Sequence, residues 1–308
     1  MSNVMSNATG DATRSTIDPL RQVTSGVIRW HGATSDETSD ELVAEEPLEV
    51  RVRKGDSGDL GGSDDDARAS ETVAVIMRTP GHDNELAMGF LFSEGLIGRA
   101  DEIAELQPGL DNDGLPSPNI IEARCAAGVD VGQRMREAGY SRQFAVNSSC
   151  GVCGKNTVEA ACALLPPIAR DGFTVAPTTL YRLPDQLRGE QRVFSATGGL
   201  HGAALFDGAG QLIAVREDVG RHNAVDKLVG RALLAGETPL HARMLLVSGR
   251  LSYEITLKAL VARIPIIAAV SAPSSLAIDL ARAGGVTLVG FLRGEGCNVY
   301  TWPERIRR

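Results

Sequence analysis

From Val193 onward, short apolar runs alternate with stretches whose apolar residues recur at three- and four-residue spacing. The first pattern predicts buried strands and the second predicts helices that bury one face. His201–Phe206 and Leu212–Arg216 read as strands joined by Asp207-Gly208-Ala209-Gly210, a hairpin signal. A helix over Asn223–Leu234 buries Val225, Leu228, Val229 and Leu233, and Gly236 ends it. Strand Met244–Val247, turn Ser248-Gly249-Arg250 and helix Ser252–Ala262 follow. Then come strand Pro265–Val270, the loop Ser271–Ser275 and a helix to Ala283 stopped by Gly284-Gly285. Strand Val286–Phe291 precedes Arg293-Gly294-Glu295-Gly296. Alternation of this kind predicts right-handed crossovers and a mostly parallel sheet.

The chain before Val193 is less regular. Pro47–Arg53 and Thr72–Arg78 are strand-like and flank a Gly- and Asp-rich insertion, Lys54–Ser70, expected to be flexible. Asp83 is placed to cap a helix that runs to Ser93 and stops at Gly95. Ile120–Cys125 and Gln143–Val146 are further strands, and Asn156–Leu165 a helix with Cys162 on its buried face. The expected organisation is a disordered leader (1–20), then a small α+β domain (21–146) carrying the flexible insertion 54–70. A mobile cysteine loop (147–155) leads to a second, α/β domain (156–308).

Charge adds one distinction. The net charge of −8 is concentrated at the front: residues 1–70 hold 14 acids and 7 bases, and the rest is nearly neutral. A nucleic-acid binder would carry a basic field on its folded part, and none is visible. No apolar run approaches the ~20 residues that cross a bilayer, and the N-terminus has no signal pattern, so a cytoplasmic protein is expected. Five cysteines, an odd count in that setting, argue against a disulfide framework.

The candidate chemistry lies in three places. Asn147-Ser148-Ser149-Cys150-Gly151-Val152-Cys153-Gly154-Lys155 sets two thiols among residues too small to form a core. Lys155 and the following helix N-terminus favour thiolate, and the glycines let the loop move between a donor and an acceptor. Sulfur transfer, a zinc half-site and thioredoxin-like redox chemistry all fit a lone C-x-x-C. The second place is the charged run Arg216–Lys227 at a strand end and helix start, where anions bind. The third is the set of loops after successive strands, Ser248–Arg250, Ser271–Ser275 and Phe291–Gly296. Their Gly, Ser and Arg residues suit phosphate oxygens. His201 and His82 are weaker candidates for ligands or acids.

In this order, six motifs make the chain resemble the FdhD family of sulfur-carrier accessory proteins. They are Thr79-Pro80-Gly81 with Glu85–Gly95; the Cys150/Cys153 loop; Thr197-Gly198-Gly199-Leu200-His201; Glu217–Lys227; Ser248-Gly249-Arg250; and the tail Phe291–Thr301. The resemblance implies a sulfurtransferase-type accessory factor that is a homodimer. A cysteine desulfurase would donate sulfur, and Cys150 would hold it as a persulfide with Cys153 as companion. The molybdenum of bis(molybdopterin guanine dinucleotide) would receive it before that cofactor enters formate dehydrogenase. Phe291, Leu292, Arg293, Gly294, Glu295 and Gly296 match the family's cofactor-binding stretch, and Arg221, Ser248, Arg250 and Ser274 are crevice candidates beside it.

The family's second domain is similar to the cytidine deaminase fold, a three-layer α/β arrangement. Zinc deaminases need H-x-E or C-x-E at a helix start and P-C-x-x-C after the next strand. Here those places read Arg221-His222-Asn223-Ala224 and Ser248-Gly249-Arg250, so no metal of the protein's own is expected. The alternatives to a carrier are a cofactor chaperone that needs no thiol and a C-x-x-C redox protein.

Overall fold

A computed structural model describes residues 21–55, 70–137, 165–169 and 172–307. The leader, most of the insertion, the strand expected at 143–146, the cysteine loop and nearly all of the helix expected from Asn156 lie outside the described residues.

The expected helix–strand alternation forms a six-stranded sheet ordered β12-β11-β10-β9-β7-β8. Its strands are β7 (His201–Asp207), β8 (Leu212–Asp218), β9 (Arg243–Val247), β10 (Ile266–Ala269), β11 (Thr287–Arg293) and β12 (Gly296–Thr301). The sheet is mixed rather than mostly parallel: β9–β10 and β10–β11 pair parallel, while β7–β8, β7–β9 and β11–β12 pair antiparallel. The physical reason is connection length. Two tight hairpins leave no room for a crossover, so each returns its strand antiparallel. The second was not foreseen: Arg293–Gly296, read as a loop after a strand, is the turn between β11 and β12.

Helices α6 (Arg221–Leu234), α7 (Tyr253–Val261) and α8 (Ser275–Gly284) cover one face of this sheet through Val225, Leu228, Ile255, Leu260 and Leu280. Three short helices precede β7: α3 (Pro177–Tyr181), α4 (Leu183–Glu190) and α5 (Arg192–Thr197). Leu180, Leu183 and Leu187 of the first two cover the other face against Phe206, Leu246 and Val289.

The front part forms a four-stranded sheet ordered β4-β3-β6-β5. Its strands are β3 (Glu46–Arg53), β4 (Ser70–Arg78), β5 (Ile103–Leu110) and β6 (Pro116–Cys125). It packs on α1 (Asp83–Ser93) and α2 (Val131–Glu137) through Leu48, Val50, Leu86, Leu91 and Val131. Asp83 does not cap α1. The cap position is His82, left-handed at φ 60°, and the Asp83 carboxylate instead takes the buried Arg78 guanidinium at 3.1 and 3.0 Å. A third sheet, unforeseen from the sequence, is a two-stranded ribbon of β1 (Gln22–His31) and β2 (Thr34–Val43).

Helices α1 and α6 join the two larger sheets by crossing at glycines. A Cβ on Gly89 would fall 1.9 Å from the Asp226 carbonyl oxygen, and one on Gly230 would fall 1.8 Å from that of Glu85. Polar bonds flank the crossing: Arg216 to Glu85 at 2.5 and 2.6 Å, and Ser93 Oγ to Asp226 at 2.9 Å. The described residues contain no helix long and apolar enough to cross a membrane.

Candidate functional site

Strands β8 to β11 run in one direction, so their carboxyl ends and the amino end of β7 gather at one end of the large sheet. The chain leaves β8 through Asp218-Val219-Gly220, and that turn is held from the front part of the molecule. Fully buried Asp218 accepts from Lys227 Nζ at 2.7 Å, the Thr79 amide at 3.2 Å, the Gly220 amide at 2.8 Å and Asn223 Nδ2 at 2.8 Å. Lys227 also donates to the Thr79 carbonyl at 2.8 Å, and the Val219 amide to Thr79 Oγ1 at 3.2 Å. Glu217 accepts the Val193 and Phe194 amides at the start of α5. Burial pulls the Lys227 ammonium below its ordinary range, while Asp218 opposes that shift.

The run Arg216–Lys227, read from the sequence as an anion-binding cluster, therefore spends most of its charge on architecture. Arg221 is the member of the run left over. Arg221 opens α6, and its buried Nε has no hydrogen-bond partner. His201 lies beside it: a Cβ on Gly249 would sit 3.4 Å from His201 Nδ1 and 3.9 Å from Arg221 Cδ, so the bare glycine seats both. Burial, followed by the Arg221 and His222 charges, holds the His201 imidazole below its ordinary pKa.

His222 Nε2 meets Glu254 Oε2 of α7 at 2.6 Å and lies 3.3 Å from Ser252 Oγ. The hydrogen bond from His222 lowers the Glu254 pKa against an opposing burial effect. Ser252 caps α7 by accepting the Ile255 amide. Two helix N-termini thus converge here, and a pocket beside them is lined by Phe90, Glu94, His222, Asp226, Glu254 and Lys258. Glu254 and Ser252 escaped the sequence reading. The available signal was Ser252-Tyr253-Glu254, a cap followed by an acid in the first helical turn.

The other expected residues lie at the same end in unequal settings. Ser248 ties β9 to β7, its Oγ accepting the Gly202 amide at 2.9 Å and its own amide donating to the Gly202 carbonyl at 2.9 Å. Arg250 is exposed. Ser274 caps α8 through the Ala277 amide, and its own amide binds the Leu251 carbonyl. Phe291, left-handed at φ 52°, donates its amide to the Ser271 carbonyl. The Arg293 guanidinium lies 6.0 Å from the Phe291 ring centre. Leu292 is fully buried in the core, so within its stretch it supports rather than lines the surface. Arg293, Gly294, Glu295 and Gly296 form the exposed β11–β12 turn, with Gly294 at φ 53°. His82 lies elsewhere, 3.4 Å from Glu85 at the start of α1. Cys150 and Cys153 lie outside the described residues. Among the described residues, no three His, Cys, Asp or Glu side chains are placed to share a metal ion.

What this end of the sheet can do is hold an anion. It offers two helix N-termini, the half-buried Arg221, an exposed arginine and glycine backbone that a ligand can approach.

Comparison with known proteins gives concordant results. The family model described as FdhD/NarQ family matches residues 44–307. A sulfur carrier protein FdhD of Streptomyces avermitilis is 47% identical over 91% of this chain and 94% of its own. One from Mycolicibacterium paratuberculosis is 49% identical over 86% and 91%, and one from Saccharolobus solfataricus 41% over 91% and 96%. Among solved structures, one described as a formate dehydrogenase accessory protein from Desulfotalea psychrophila superimposes with a TM-score of 0.66. It covers 93% of this chain and 99% of its own at 24% identity, a likeness of fold.

Proposed function

This chain belongs to the FdhD/NarQ family, and on that premise we propose that it is a sulfur carrier serving the maturation of formate dehydrogenase. The observation that carries the reading is 47% identity to a named sulfur carrier across 91% of the chain. Cys150 is the carrying thiol. Its thiolate attacks the terminal sulfur of a cysteine desulfurase persulfide, the donor cysteine leaves as thiolate, and Cys150 becomes the persulfide. Cys153 relays that sulfur or guards it.

The cargo is the molybdenum of bis(molybdopterin guanine dinucleotide), which is substrate and not a resident cofactor. Its pyrophosphates suit the end of the sheet where Arg221 is half-buried and two helices begin. Phe291 and Arg293 border that surface, with Ser248, Ser274 and Arg250 forming its neighbouring loops. A deaminase-like second domain, a division at the cysteine loop, a homodimer and a cytoplasmic location belong to the same proposal. The converging starts of α6 and α7 support the first of these.

Intact-mass measurement after incubation with a cysteine desulfurase and cysteine tests the carrier step. The wild type is expected to gain about 32 Da per sulfur, reversibly with reductant, and Cys150→Ala is expected to gain none. A wild type whose mass does not change overturns the reading.

A further inference from the structure

The β1–β2 ribbon belongs to neither larger sheet, and among the described residues each of its strands leaves one edge without a partner. Two strands alone are marginal in water, and ten-residue strands exposed on both faces call for a covering surface. The base of the ribbon is fixed beside the site: the Ala44 amide donates to the Arg21 carbonyl, and Arg21 Nη2 donates to the Glu217 carbonyl at 3.1 Å.

The pairing register sorts the ribbon into two unlike faces. On one face a basic side chain lies near each acid, Arg29 3.9 Å from Asp40 and His31 3.8 Å from Asp36. The other carries Thr24, Gly26, Ile28 and Trp30 beside Ser35, Glu37, Ser39 and Glu41. Ile28 is 63% exposed and Trp30 66% exposed. No Lys, Arg or His of the ribbon lies on that face to balance Glu37 and Glu41.

We propose that the face bearing Ile28, Trp30, Glu37 and Glu41 docks a basic segment of the protein that receives the sulfur. This assignment rests on the carrier reading. A guanidinium or ammonium of the partner stacks on Trp30 and pairs with the two carboxylates, while Ile28 fills an apolar slot. A second copy of this chain is a poor occupant, because its own Glu37 and Glu41 would meet the same charges. The base of the ribbon is tied to Glu217, next to the end of the sheet proposed for the cofactor that receives the sulfur, so a protein docked on the ribbon lies beside the point of delivery.

The test measures binding of the full-length protein to purified apo formate dehydrogenase at low and high salt. Trp30→Ala is expected to weaken binding about tenfold or more. Glu37→Lys with Glu41→Lys is expected to remove most of its salt dependence, and Asp36→Asn on the opposite face to bind as wild type. Circular dichroism confirms that each variant is folded. The assignment falls if Trp30→Ala binds unchanged, or if the ribbon variants lose only a cysteine desulfurase. It falls equally if Trp30→Ala instead abolishes self-association. Ribbon-dependent binding by a wild type that gains no sulfur mass would sink the carrier reading alone; sulfur gain with ribbon-independent binding would sink the docking surface alone.

Discussion

His222 and Glu254 come from different helices and meet at 2.6 Å beside the site. That bond is the leading cause of the lowered Glu254 pKa, and burial works against it. A carboxyl depressed on folding stabilises the protein above its ordinary value of 4.5, and the contribution disappears as pH falls through the folded value. Urea midpoints measured from pH 7 to pH 3 are therefore expected to fall less steeply for Glu254→Gln than for wild type across the acid limb. Superimposable curves would remove the pair from the stability of this region. The meeting of His222 with Glu254 was not legible in the sequence, because 32 positions separate the two residues and neither carries a motif that names the other.

Among the described elements, α1 and α6 cross with the closest backbone approach at any glycine. Gly89 and Gly230 each face the other helix's backbone, and backbone cannot step aside as a flexible side chain can. Gly230→Ala is expected to cost at least the ~1–3 kcal/mol typical of an overpacked core. Gly189→Ala in α4, where a Cβ meets nothing within 4 Å, is expected to be neutral or stabilising by up to ~1 kcal/mol. Equal melting temperatures for the two variants would contradict the close approach. The sequence located α6, yet it offered no reason for a glycine inside a helix that otherwise follows the apolar rhythm. That reason is the opposing helix. The β11–β12 hairpin and the β1–β2 ribbon were missed on related grounds. The first was read only as a ligand-facing loop after a strand, because Gly and Arg suit a loop and a hairpin turn alike, and the second has no buried face to impress a strong rhythm on its residues.

At the scale of the molecule, the front part positions the site in the back part. Thr79 and Lys227 hold Asp218, Asp218 holds the turn before α6, and that turn presents Arg221. Arg221→Met keeps much of the apolar stem and removes the charge. It is expected to weaken binding of guanosine diphosphate, the phosphate-bearing end of the proposed cargo, by about 10- to 100-fold. That range corresponds to the ~1.5–3 kcal/mol of a charged hydrogen bond. Calorimetric titration of wild type and variant reads this directly, and equal affinities would place the dinucleotide away from Arg221.

Sequence alone determined β7 to β11 and helices α6 to α8, their order and the motifs that mark the family, because strand and helix rhythms and glycine stops are local properties of the chain. It also singled out Arg221 and the loop Ser248–Arg250. Only the tertiary structure decided which charges remain available to a ligand. Asp218, Glu217 and Lys227 read as equals of Arg221 along the chain, but the first three are buried among partners up to 148 positions away, whereas Arg221 is only half-buried. Burial and pairing across such distances arise from packing, and spacing along the chain does not encode them.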